Sequence, residues 1–268
     1  MKHTLARRGA AGALAAVSIA ASVGAAAAPR FTNEFPIDKC DFRSSGANPY
    51  FRLTPGRQAY FSNQRCVAAG DCDELEELWI TVTNRTRDIQ LRDDGVTRTI
   101  PTRVVQEFET ADGEVVEISR NFFSICQPNR DVYYFGEEVD IYEDGRIVSH
   151  DGAWLAGRHG AEPGIIMPDA AFLLGSRYFQ ERAAGVALDR AEHVANDLEI
   201  DVPAGFMEDC VQVNETTPLE PGSISTKVYC PGKGLVRDGE LELIAIFNSA
   251  SPPTVRPVTS HASAVHGL

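Results

Sequence analysis

The sequence predicts a mainly β protein: a single curved antiparallel sheet, open or half-barrel, with little helix and one long lid-like loop. Three observations carry that reading. Four Asp-Gly dipeptides fall between runs of alternating or β-branched residues, those runs alternate apolar and polar residues, and helical signal is thin. Asp-Gly accepts the positive φ angles of tight hairpin turns, so each dipeptide is a turn with a mechanism. Several hairpins in one chain imply a meander, and long strands imply that it curls.

In chain order, residues 1–28 read as a signal peptide. Lys2, Arg7 and Arg8 form a positive start, Gly9 to Val23 an apolar stretch, and Ala25 to Ala28 the small residues before cleavage. The apolar stretch is short for a membrane span. Arg7-Arg8 leaves the twin-arginine route open beside the general secretory one. Residues 29–248 are expected to form one β-rich domain, and the proline-broken 249–268 a disordered tail. The expected location is secreted, periplasmic or cell-envelope associated.

The turns are Asp94-Gly95, Asp112-Gly113, Asp144-Gly145 and Asp238-Gly239. In "TRVVQEFET", Val104, Gln106 and Phe108 face one way and Val105 and Glu107 the other. In "ELELIAIF", Leu241, Leu243, Ala245 and Phe247 stand apart from Glu242 and Ile244. "DELEEL" (Asp73 to Leu78) has the composition for a turn or two of helix. Arg177 to Asp197 is also helix-like but is interrupted by Gly185. Its end, "DRAEHVA", reads better as a strand with Ala191, His193 and Ala195 on one face.

Six cysteines behind a signal peptide predict disulfides, with fifteen connectivities open. Cys210 and Cys230 flank a strand, a turn centred on Glu220 to Gly222, and a second strand, which sets them opposite across a ladder. Cys66 and Cys72 bracket "VAAGD", read as a flexible loop, and Cys40 with Cys126 remain. The formal charge is −13, and removing Lys2, Arg7 and Arg8 with the leader makes it three units more negative. Such a chain has no electrostatic reason to bind nucleic acid or an anionic membrane surface.

For function, the stretch "HDGAWLAGRHGAEPGIIMP" (His150 to Pro168) stands out as a connection too long for a bare turn. With the aromatics of "VYYFGEEVDIY" before it, it suggests a pocket for a small apolar ligand. The candidate residues are Tyr133, Tyr134, Trp154, His159, Ile166 and Tyr178. The competing expectation is that Trp154, Tyr134 and Ile166 simply plug one end of the sheet. His150, His159 and Glu162 are the weak candidates for metal, without a diagnostic spacing. Nucleophile-elbow and P-loop patterns are absent from the sequence, so no catalytic residue and no cofactor is assigned. The leading expectation is a non-catalytic binding or structural protein. The alternative is a metal-dependent or carboxylate-based hydrolase drawing on His150, His159, Glu137, Glu138, Asp140, Asp151 and Glu162.

Five segments in order, "NPYFRLTPG" from Asn48, "DVYYFGEEV" from Asp131, "GAWLAGRHGAEPGIIMP" from Gly152, "YFQERAAGVALDRAEHV" from Tyr178 and "TTPLEPGSISTKVYCPGKGLV" from Thr216, resemble a family of exported bacterial proteins of unknown function. Cys126, Cys230 and "NQRCVAAGDCDELEEL" depart from that pattern. The C-terminal "IDVPAGFMEDCVQV", "KVYCPGKGLV" and "GELELIAIF" are similar to the closing strands of periplasmic half-barrels, the group of the lipoprotein carriers. That resemblance implies a long antiparallel sheet wrapped round a helix or cavity, several members holding lipid-like ligands, and speaks to fold before function.

Overall fold

The computed structural model describes residues 30–255 apart from 94, 128, 170 and 171. The expected signal peptide, Met1 to Ala28, and most of the tail lie outside the described residues. Two strands, β1 (Asp41–Arg43) and β2 (Arg57–Ser62), precede a short helix α1 (Gln64–Ala69). A meander of long strands follows: β3 (Glu76–Asp93), β4 (Val96–Ala111), β5 (Glu114–Gln127) and β6 (Val132–Glu143). Short strands come next: β7 (Arg146–Ser149), β8 (Trp154–Leu155), β9 (Glu162–Met167), β10 (Arg177–Phe179) and β11 (Glu181–Arg182). A second meander ends the chain: β12 (Arg190–Val202), β13 (Gly205–Thr216), β14 (Ser225–Cys230), β15 (Gly234–Asp238) and β16 (Leu241–Asn248).

All sixteen strands belong to one antiparallel sheet, mainly β as the sequence predicts and curled until it is nearly a closed barrel. The two meanders join where β16 pairs with β2. The opposite closure is made by one run of chain. Arg177 to Phe179 pairs with β12, and Glu181 to Arg182 pairs with β9, so the same six residues reach both ends of the sheet and leave an unsealed seam. Gly164 on β9 permits this, because a β-carbon there would collide with the Phe179 carbonyl and lie 2.6 Å from that of Gln180. Gly164→Ala is therefore expected to destabilise the protein by about 1–3 kcal/mol by forcing the seam apart. Denaturant titration checks it: an unchanged midpoint would mean that the closure tolerates a methyl group.

The hairpin chemistry holds at the dipeptides. Asp112 and Gly113 have φ of 48° and 83° between partners Ala111 and Glu114, and Asp144 and Gly145 have 50° and 71° between Glu143 and Arg146. Both pairs take the left-handed conformations that match the twist of the strands. The ladder of β3 and β4 closes at Asp93 and Val96, round Asp94-Gly95. The fourth turn sits one residue later than expected: Asp238 pairs with Leu241, so Gly239 and Glu240 form the loop.

The disulfides join Cys40 to Cys126, Cys66 to Cys72, and Cys210 to Cys230, the three pairings the sequence suggests. The ladder that pairs Val211 with Tyr229 sets Cys210 opposite Cys230 one step on, with α-carbons 4.2 Å apart. Other expectations need correction. The segment between Cys66 and Cys72 is not a flexible loop: it carries α1, stopped by Gly70 at φ 79°. "DELEEL" is not helical where it is regular, because its last three residues start β3 and Leu78 packs beside Phe61. In β16 a register shift between Leu243 and Ala245 breaks the expected alternation, burying Leu243 and leaving Phe247 exposed against Trp79. The start of the tail is tied down, since Ser249 N–H donates to the Gly56 carbonyl at 2.6 Å and Gln58 to that of Ser251 at 3.2 Å. "DRAEHVA" is strand from Arg190 on, where β12 begins, with Ala191 and His193 buried. No helix among the described residues is long and apolar enough to cross a membrane.

Candidate functional site

Alternation along the strands decides which side chains reach the inside of the curl. Register aligns Leu78, Ile80 and Val82 of β3 with Glu109, Glu107 and Val105 of β4. It then aligns Val105 and Glu107 with Asn121 and Ser119 of β5, and Phe61 and Ala59 of β2 with Leu78 and Ile80. Across the interior, Tyr229 of β14 lies opposite Leu235 of β15, and Lys227 opposite Asp238. These faces line a cavity of about 290 Å³ that is partly open to solvent.

Its wall is divided. Phe51, Phe61, Leu78, Ile80, Val82, Val105, Phe123 and Leu235 make the apolar part. Towards the Lys227 end of the β14–β15 hairpin the wall becomes acidic, with Glu107, Glu137, Glu181, Asp189, Glu215 and Asp238. At the hairpin's other end stand Arg52, Arg57 and Lys233. Arg52 donates to the Gly232 carbonyl at 3.2 Å, and Arg57 to that of Lys233. A second cavity of about 410 Å³ shares Glu137, Asp189 and Glu215 with the first. It adds Glu117, Asp151 and Glu220, and among the described residues no Lys, Arg or His lines it.

Burial sets the protonation of this cluster. Loss of water pushes Glu107 and Glu137 up to about 7 and Glu109 up to about 8, and the mutual repulsion of neighbouring carboxylates adds to it. Glu181, Glu215 and Asp189 are also raised, burial again being the leading cause. Lys227 stays charged: burial opposes its ammonium, but Glu215 and Asp238 outweigh that and hold it above the usual lysine range. Its Nζ lies 2.5 Å from Asp238 Oδ2 and 3.6 Å from Glu215 Oε2. Gln180 Nε2 donates to the other Glu215 oxygen at 2.7 Å, and Asp189 N–H to Glu181 Oε1 at 2.7 Å.

No family model, curated protein or solved structure matches the chain.

The residues singled out in the sequence are not all brought together. Tyr134 and Ile166 line the cavity, and Tyr134 donates to Asn121 Oδ1 at 2.5 Å while stacking on Phe123 at 4.8 Å. Trp154 packs edge-on behind Tyr134 at 5.2 Å, held by its pairing with Glu137. Tyr133 packs against Phe42 at 5.3 Å, and Tyr178 bonds to buried His193 at 3.0 Å, so both are structural contacts. His159 is exposed, at φ 51°. The connection Gly152 to Pro168 is ordered through β8 and β9, which both pair with β6.

The weak metal candidates already have partners or stand alone. His150 Nδ1 lies 2.7 Å from the Val139 carbonyl and 3.0 Å from Asp140, while Glu162 pairs with Arg182 at 3.2 Å. Among the described residues no group of three or more His, Cys, Asp or Glu side chains is placed to hold a metal ion. Of the carboxylates considered for hydrolysis, Glu137 lines both cavities and Asp151 the second. Glu138 pairs with Arg87, and Asp140 with Arg120 at 2.6 Å. The sequence reading did not single out Glu107, Glu181, Asp189, Glu215 or Lys227. One signal for Glu107 was present: alternation in β4 sets it on the same face as Val105.

Proposed function

We propose that this chain is an exported, non-catalytic binding protein of the cell envelope or its surroundings, holding a small molecule by an apolar portion inside the curled sheet. The observation that carries the reading is the interior cavity with its continuous wall of Phe51, Phe61, Leu78, Ile80, Val82, Val105, Phe123 and Leu235. Small-molecule sites commonly combine such a wall with a few convergent polar groups, in volumes of roughly 300–1,000 Å³. This cavity is at the small end, which favours a compact ligand. The three disulfides fit a disulfide-stabilised extracellular protein. The resemblance of the C-terminal strands to periplasmic half-barrels supports the same reading.

Filling the cavity tests it. Ala59 lies on the wall beside Phe61, so Ala59→Phe projects a ring into the space. Titration with environment-sensitive hydrophobic dyes is expected to saturate on the unaltered protein and to weaken at least about tenfold in the variant. Thermal unfolding is expected to move little, and Val105→Phe serves as a second filling variant if Ala59→Phe does not fold. Absence of saturable dye binding to the unaltered protein would remove the basis of the proposal.

A further inference from the structure

The acidic end of the cavity says what else the occupant carries. Among the described residues Lys227 is the only base within that end, and its charge is already committed to Asp238 and Glu215. Glu107, Glu137, Glu181 and Asp189 have no further basic side chain beside them in the lining. The neighbouring cavity, which shares Glu137, Asp189 and Glu215, has six acids and, among the described residues, no base in its lining, and so makes a negative vestibule. Such a vestibule concentrates cations and repels anions.

A second observation is independent of the charge count. The Tyr229 side chain lines the cavity at 4 % exposure, and its hydroxyl makes no hydrogen bond among the described residues. Glu181, 2 % exposed, also lines it, its Oε1 accepting from the Asp189 N–H. Among the described residues the Tyr229 hydroxyl therefore has no partner from the protein and is free to pair with a polar group of an occupant. The apolar wall begins one strand away, since Glu107 is paired in register with Ile80.

We infer that the occupant is a small organic amine, its protonated nitrogen seated among Glu107, Glu137, Glu181 and Tyr229 and its apolar part against Ile80 and Val105, admitted through the acidic vestibule. This rests on the binding-protein reading above. The ammonium brings several N–H donors to carboxylates in a water-poor space, where charge-assisted hydrogen bonds are strongest. A carboxylate or phosphate head would meet repulsion there, and could be held only at the Arg52, Arg57 and Lys233 end.

Calorimetric titration of the mature protein with octylamine, octanol and octanoate, at about pH 8, separates these outcomes. Octylamine is expected to bind roughly tenfold or more tightly than octanol, and octanoate most weakly. In the Glu107→Gln/Glu137→Gln double variant the advantage of the amine over the alcohol is expected to vanish while octanol binding is kept. Equal binding of octanol and octylamine, or preference for octanoate, would overturn the amine while leaving the cavity as a binding site. Binding of none of the three would remove both readings. An amine preference that survives the double variant would overturn its placement. The comparison on the unaltered protein decides the matter even where the variant does not fold.

Discussion

Replacing Cys40 and Cys126 together by alanine is expected to lower the melting temperature by roughly 10–15 °C. The bridge spans 86 residues of sequence. Restricting an unfolded chain over that length is worth about 4.5 kcal/mol by loop entropy alone. In a protein of this size each kcal/mol moves the midpoint by about 2–4 °C. The native state has a stake as well. Cys40 leads directly into β1, which lies along the end of β5 and sets Phe42 edge-on against Tyr133 and Phe135 at 5.3 and 5.2 Å. Freed of the bridge, β1 keeps only a three-residue ladder. The matching change at Cys66 and Cys72, which are separated by 6 residues, is expected to cost about 2 kcal/mol. Thermal unfolding followed by circular dichroism compares the two. Equal losses would mean that chain entropy is not what the longer bridge supplies.

Stability is also expected to fall as pH rises from about 5 to 8, a window in which many proteins are at or near their best. Glu107, Glu109 and Glu137 have folded values of about 7, 8 and 7, above the ordinary glutamate value, so the folded chain holds protons that the unfolded chain has released. Their contribution is fully present below the unfolded value and is lost as pH climbs through 7 to 8. The groups facing Glu107 are Lys227 on β14, Asp238 on β15, Glu117 on β5 and Glu137 on β6. Lys227 keeps its charge throughout the window. His193 works the other way: burial lowers it to about 4, so its contribution grows as pH rises to about 6.5. One group cannot offset three or more. A tenfold difference in proton affinity between the folded and unfolded chain is worth about 1.4 kcal/mol. One such factor at each of the three glutamates gives roughly 4 kcal/mol, or about 10 °C. Melting curves across that range should slope downwards, and Glu107→Gln/Glu137→Gln should flatten them. A flat or rising profile in the unaltered protein would show that the carboxylates are hydrated and ordinary.

The legible parts of the fold were those written in local chemistry. Asp112-Gly113 and Asp144-Gly145 name their own turns, because few other pairs accept two positive φ angles in succession. Cys210 and Cys230 could be paired because strand, turn and strand fix which residues face each other. What local chemistry does not encode is which face of a two-faced strand turns inwards. In β4, Val104 and Phe108 are buried on one side, while Val105, Glu107 and Glu109 line or approach the interior on the other. Read along the chain, Glu107 is indistinguishable from a glutamate in water, and only the closing of the sheet by strands a hundred residues away makes it half-buried. The same holds for Lys227 and Glu215. The bulge in β16 and the steric need for Gly164 are likewise tertiary facts, invisible to a period of two. Tyr134 and Ile166 were found because aromatic and aliphatic side chains advertise burial wherever they end up.

The pairing of β16 with β2 sets Asn248 beside Arg57, so the last strand among the described residues sits in the middle of the sheet, between β15 and one of the first. A nascent chain that lacks it has two raw margins, and no partial product can settle into the finished ladder. Completion of the sheet is thus deferred until β16 has emerged. Topology with such distant partners folds slowly, which makes protection of the incomplete chain a built-in requirement of this architecture.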